Sequence, residues 1–104
     1  MKKEKNLSVV ERFKKILAKN FSFNKLILFG SRARGDFDED SDFDLIIVSE
    51  EFVGVKSYKR LSQVRHYWDV NYPVDMVCLT SREFEKMKNS STIIRLANNE
   101  GIEI

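Results

Sequence analysis

Residues Leu26–Val48 read LILFGSRARGDFDEDSDFDLIIV, two apolar runs held apart by a polar turn rich in arginine and aspartate. The first run, with Lys25, makes a short strand Lys25–Phe29 that stops at Gly30. Ser31–Gly35 suits one turn of helix, and Asp36–Ser41 is a loop. The second run, Phe43–Val48, is apolar on both faces once the aspartates are passed, which predicts an interior strand. Residues two apart on a strand point to one side, so the Asp42 and Asp44 carboxylates face together. The strand rise puts their α-carbons roughly 6–7 Å apart. From there both can lean onto a shared pair of hard divalent ions, the equipment for in-line displacement at phosphorus. The stretch therefore points to a nucleotide-handling enzyme.

Working outward, Ser8 and Glu11 form an S-x-x-E capping box. Val9, Val10, Phe13, Ile16 and Leu17 follow at helical spacing, predicting a helix over 8–20. Beyond the second strand, Val55–Val70 reads as a long helix carrying Tyr58, Leu61, Val64, Arg65 and Trp68, broken by Asn71-Tyr72-Pro73. Val74–Leu79 is a third strand. Thr80 and Glu83 make another capping box, opening a helix to about Lys88 with Phe84 and Met87 inward. Ser91–Asn98 is a last helix, and Gly101–Ile104 an extended close. The order α-β-turn-β-α-β-α-α describes one α/β domain over residues 1–104. A helical crossover between the second and third strands makes them parallel. Asp75, near the start of the third strand, then joins Asp42 and Asp44 at one end of the sheet. An acid inside an otherwise apolar strand is costly without a partner.

At 104 residues and a hydrophobic fraction of 42% against 33% charged, the chain has the composition of a folded globular domain rather than a disordered one. A net charge of +2 does not single out a nucleic-acid binder. The distribution says more: positive charge gathers in Met1–Lys19 and Lys56–His66, negative charge in Asp36–Asp44. That acidic run repels itself unless a cation sits beside it. The single cysteine, Cys78, excludes an intrachain disulfide and reads as a buried free thiol. MKKEKN holds no apolar leader core, and no apolar run approaches a membrane span. A cytoplasmic location is expected.

Gly30-Ser31 lies at a strand end, where a glycine lets the backbone approach a phosphate closely and turn N–H groups bind anions. The Ser31 hydroxyl adds a donor, and Arg32 and Arg34 supply charge for phosphate oxygens. A Gly-Ser pair, ten intervening residues and Asp-x-Asp, here GSRARGDFDEDSDFD, resembles the signature of the minimal nucleotidyltransferase (MNT) proteins of the DNA polymerase β-like nucleotidyltransferase superfamily. Asp75, in PVDMVCL, matches that family's third aspartate, and the likeness runs from the first helix to the closing GIEI. The resemblance implies an α/β (α+β) fold with a small mixed sheet flanked by helices, and a site holding two Mg²⁺ ions. It implies that Gly30 and Ser31 hold the triphosphate, that Asp42 and Asp44 ligate both metals, and that Asp75 completes the catalytic metal site and helps deprotonate the acceptor. The reaction implied is transfer of a nucleotidyl group, AMP from ATP, to a hydroxyl.

Larger relatives carry a helical domain for the acceptor, whereas this chain stops shortly after the catalytic sheet, so a second polypeptide is expected to bring the acceptor. The resemblance suggests a HEPN-domain toxin whose tyrosine receives AMP, this chain being the antitoxin of a type VII-like toxin–antitoxin pair. It allows a homo-oligomer or a hetero-oligomer with the HEPN protein. Two other readings stand beside it: an antitoxin that binds its HEPN partner without catalysis, and a small-molecule nucleotidyltransferase acting on an antibiotic-like acceptor. No membrane or direct nucleic-acid partner is expected. Tyr58, Tyr67, Trp68 and Tyr72 read as core or interface rather than an adenine box. His66 and the cluster Lys56, Lys59, Arg60 and Arg65 read as a solvated face. Arg82, an odd choice at a helix start, is a weak candidate for a phosphate or acceptor contact.

Overall fold

The computed structural model describes residues 2–104, with side chains from Glu4 onward. Helix α1 (Lys2–Asn20) leads into strand β1 (Lys25–Phe29), the one-turn helix α2 (Ser31–Arg34) and strand β2 (Phe43–Val48). Helix α3 (Ser57–Val64) crosses to β3 (Val74–Leu79), followed by α4 (Ser81–Ser90), α5 (Thr92–Glu100) and the short β4 (Ile102–Glu103). The strands form one mixed sheet in the order β3-β2-β1-β4. β1 is antiparallel to both β2 and β4, and β2 is parallel to β3, as the crossover requires. The fold is thus the mixed sheet flanked by helices that the resemblance implies, with β2 interior as its apolar pattern predicts.

Strand parity divides the apolar residues into two cores. Leu26, Leu28, Leu45 and Ile47 point to one face, where Val10, Phe13 and Leu17 of α1 and Val64 of α3 close over them. Ile27, Ile46, Val48 and Leu79 point to the other, under Phe84 of α4 and Ile94 and Ala97 of α5. Burying each such large aliphatic or aromatic side chain stabilises the fold by roughly 1.5–3 kcal/mol. Gly101 sits where a β-carbon would collide with the Ala97 carbonyl, so the chain leaves α5 tightly enough for β4 to pair with β1.

Two helices and one side chain differ from the sequence reading by more than a residue or two. α1 begins at Lys2, so Ser8 lies inside it and its hydroxyl donates to the Glu4 carbonyl (3.1 Å) instead of capping. Nothing in KKEKNL breaks a helix, and Asn6 is buried in that added turn. The long helix over 55–70 is shorter: α3 spans Ser57–Val64 and gives way to a tight turn over Arg65–Tyr67. Trp68 ends it, wedged edge-on against Phe13 and tilted against Phe43, with its indole N–H donating to the Tyr72 carbonyl (2.8 Å). Arg60 is buried rather than solvated. It donates to the Val55 (2.8 Å) and Cys78 (3.1 Å) carbonyls and to both Glu83 carboxylate oxygens, while Tyr58 and Leu61 turn outward. The Thr80–Glu83 capping box forms reciprocally, as predicted. Among the described residues no helix is long and apolar enough to cross a membrane.

Candidate active site

Asp44 and Asp75 are register partners across the parallel β2–β3 pair. Parity places both on the face of Ile46, Val48, Val77 and Leu79, the face that α4 and α5 cover. Phe29, opposite Asp44 in the antiparallel β1–β2 pair, lies on the same face. Asp42 precedes β2 with the same parity and is exposed, as is Asp75, while Asp44 is half-buried. All three acids thus lie on one face toward one sheet end, an arrangement that stops short of a three-carboxylate cluster. Its electrostatic sign is visible on Asp44, whose carboxyl is raised above its ordinary value by burial first, then by the charges of Asp75 and Asp42; Arg34 opposes the rise.

Gly30 lies directly beneath that carboxylate. Its backbone is left-handed in φ (75°), and a β-carbon would collide with Asp44 Oδ2. Only glycine satisfies both demands. The Gly-Ser turn and the Asp-x-Asp strand are thus fitted to each other in van der Waals contact, and Ser31 opens α2 beside them, half-buried. Arg34 is exposed next to the carboxylates, its Nε donating to Asp36 (3.2 Å).

Arg32, expected to contact phosphate, is placed elsewhere. It is only 3% exposed, and its donors serve the Ser41 (3.0 Å) and Glu39 (3.3 Å) carbonyls and Asn6 Oδ1 (3.0 Å). Its guanidinium carbon lies 4.7 Å, 4.5 Å and 5.1 Å from the ring centres of Phe37, Phe43 and Tyr72. Those contacts make it the anchor of the loop 36–41 that delivers Asp42, because the guanidinium fork and its faces are already used. Arg82 follows the far end of β3 from Asp75 and takes no part at this end.

The carboxylates open onto a cleft of about 400 Å³ between the sheet and α5, lined by Phe29, Asp44, Asp75, Val77, Ile93 and Leu96 among others. The α5 wall was absent from the sequence reading. Its signal lay in Ile93, Ile94, Leu96 and Ala97, an apolar stripe too wide for a single buried face: Ile94 and Ala97 enter the core, while Ile93 and Leu96 remain 63% and 47% exposed.

Among the described residues no group of three or more His, Cys, Asp or Glu side chains is drawn close enough to hold a metal ion. The donor set nevertheless fits a hard divalent ion. It consists of carboxylates alone, toward one sheet end, two in register and the third adjoining, and Asp44 is raised by burial first and then by the charges of Asp75 and Asp42, which a cation would offset.

A family model described as "Nucleotidyltransferase domain" matches residues 10–100. A Methanocaldococcus jannaschii protein named "Putative protein adenylyltransferase" is 28% identical over 100 residues, covering 94% of this chain and 97% of its own. A second of the same name and organism is 29% identical over 75 residues, covering 70% of this chain and 84% of its own. A crystal structure titled as a putative nucleotidyltransferase from Sulfolobus solfataricus shares the fold, with a TM-score of 0.71 at 21% identity over 98% of this chain and 81% of that one.

Proposed function

We propose that this chain, which belongs to the nucleotidyltransferase domain family, transfers AMP from ATP to a protein hydroxyl, the acceptor being a tyrosine of a HEPN-domain toxin that the transfer silences. The observation that carries the transfer reading is the Asp44 carboxylate seated on Gly30, with Asp75 as its register neighbour. A phosphate-approaching turn and an acidic, cation-holding pair are thereby joined at one point. The adenylyl group and the protein acceptor are supported by the names of the two archaeal relatives, and the HEPN tyrosine by the resemblance of the signature to MNT proteins.

Asp42, Asp44 and Asp75 would hold two Mg²⁺ ions, which when bound neutralise charge on the α-phosphate and orient the entering and leaving oxygens. The chain's own groups do the remainder. Gly30 admits the triphosphate close to the backbone, Ser31 donates to a phosphate oxygen, and Arg34 adds positive charge on the exposed side. The acceptor oxygen bonds to the α-phosphorus as the bond to the bridging oxygen breaks, and pyrophosphate leaves with that electron pair. Asp75, the most accessible acid of the register pair, receives the hydroxyl proton.

Co-expression of the chain with a HEPN-domain toxin, followed by intact-mass measurement, tests the reading. Gain of AMP mass on a HEPN tyrosine, lost together with protection in Asp42→Ala/Asp44→Ala, is the expected result. Protection that persists in that double variant, with no adduct on the toxin, would establish a binding antitoxin instead.

A further inference from the structure

We infer that the cleft between the sheet and α5 is the acceptor's subsite, and that Ile93 and Leu96 form the wall that selects a phenol over an aliphatic hydroxyl. The inference rests on the transfer reading and adds where, and by which residues, the acceptor is held.

The cleft joins charged groups to apolar walls. Asp44, Asp75 and Arg34 line it together with Glu100 at the end of α5, and the apolar walls are Phe29 and Val77 of the sheet and Ile93 and Leu96 of α5. A phenol has that same division: an apolar ring with a single polar atom at its tip. An adenine instead carries hydrogen-bonding atoms around its edge, and the side chains of Phe29, Val77, Ile93 and Leu96 offer them no partner, so a base seated between these walls would lose hydration there unrepaid. A serine or threonine hydroxyl would reach the carboxylates but leave the walls unfilled. A volume of about 400 Å³ leaves room for an aromatic ring beside the phosphates received at Gly30 and Arg34.

Ile94 and Ala97 are the residues that anchor α5 to the sheet, while Ile93 and Leu96 beside them stay 63% and 47% exposed. Placed one helical turn apart on the side that faces Asp75 across the cleft, they meet an entering ring edge-on. With the ring seated, the phenolic oxygen lies at the acidic end. There its bond to the α-phosphorus forms, the bond to pyrophosphate breaks, and the phenolic proton passes to a carboxylate.

The test uses the whole chain with methyl-labelled isoleucine and leucine, and N-acetyltyrosinamide, N-acetylserinamide and ATP as probes. The tyrosine probe should move the Ile93 and Leu96 methyl signals, and the serine probe and ATP should leave them in place. The Ile93→Ser/Leu96→Ser variant should raise the acceptor KM at least about tenfold while the ATP KM stays within about twofold. Since both side chains are exposed, its melting temperature should match the parent's. Methyl signals that follow ATP, or that ignore the tyrosine probe, would overturn the inference. So would an ATP KM that rises with the acceptor KM. Phenol binding with no transfer from ATP would uphold the subsite and sink the transfer reading.

Discussion

Asp44 and Leu45 are neighbours in β2, yet they belong to opposite faces of the sheet with opposite uses. On the Leu45 face, α1 and α3 close over Leu26, Leu28, Leu45 and Ile47, all 4% exposed or less. On the Asp44 face, α4 and α5 cover Ile46, Val48 and Leu79 at one end and leave Phe29, Val77, Asp44 and Asp75 of the sheet lining an open cleft at the other. The closed face holds the sheet together. That reserve lets the open end keep like charges side by side, an arrangement that opposes folding.

Substitution of the two neighbours should separate these roles most sharply. Asp44→Asn should reduce nucleotidyl transfer on the order of 10³-fold, as expected when a charge-stabilising group is removed. It should leave the melting temperature at pH 7 unchanged or higher. The sign follows from the raised Asp44 pKa, due first to burial and then to Asp75 and Asp42. A carboxyl that protonates more readily folded than unfolded withdraws stability as pH climbs through its titration, and a neutral amide removes that loss. Leu45→Ala should do the reverse, costing about 2–5 kcal/mol and lowering the melting temperature by roughly 10 °C or more, with the rate per folded molecule kept. Equal destabilisation by both would refute the division between faces.

The same contrast explains what the sequence could disclose. Period and punctuation carry local information, so the strands 25–29, 43–48 and 74–79, the one-turn helix at Ser31 and the Thr80–Glu83 cap were all legible. The parallel pairing followed from the crossover, and with it the Asp44–Asp75 juxtaposition. Arg32 was not legible, because its fate depends on Asn6, Phe37, Phe43 and Tyr72, which meet only in three dimensions. The truncation of α3 has the same origin: Trp68 leaves the helix because Phe13 and Phe43 offer it a better place than continuing the turn does. Arg60 also looked like one more surface cation until β3 brought the Cys78 carbonyl and Glu83 to it.

Arg32 and Arg34 repeat the comparison at smaller scale, two residues apart on one helical turn. Arg32→Ala strips the loop 36–41 of its anchor and should cost about 2–3 kcal/mol, the worth of hydrogen bonds from a charged group. Arg32→Lys should recover little, since an ammonium cannot span the Ser41 and Glu39 carbonyls while stacking on three rings. Arg34→Ala should change stability by no more than about 0.5 kcal/mol but raise the ATP KM. Chemical denaturation and steady-state kinetics on the three variants measure both quantities. A larger stability loss at Arg34 than at Arg32 would reverse their assignments.

The smallest effect lies at the margin of the closed face. Cys78 sits in β3, the edge strand, with its side chain packed against the α1–α3 core yet only half-buried, which makes it a gauge of how firmly that edge is shut. Burial pushes its thiol from 9.0 to about 11, against the opposing charge of Arg60. At pH 8 the folded chain therefore holds about a hundredfold less thiolate than an unfolded one, and the thiolate is the reactive form. Iodoacetamide at pH 8 should modify the native protein about a hundredfold more slowly than the urea-unfolded chain, with rates converging as pH passes 11. Because β3 carries Asp75 as well, a fast native rate would show the edge strand opening locally. The aspartate pair would then be held together only part of the time.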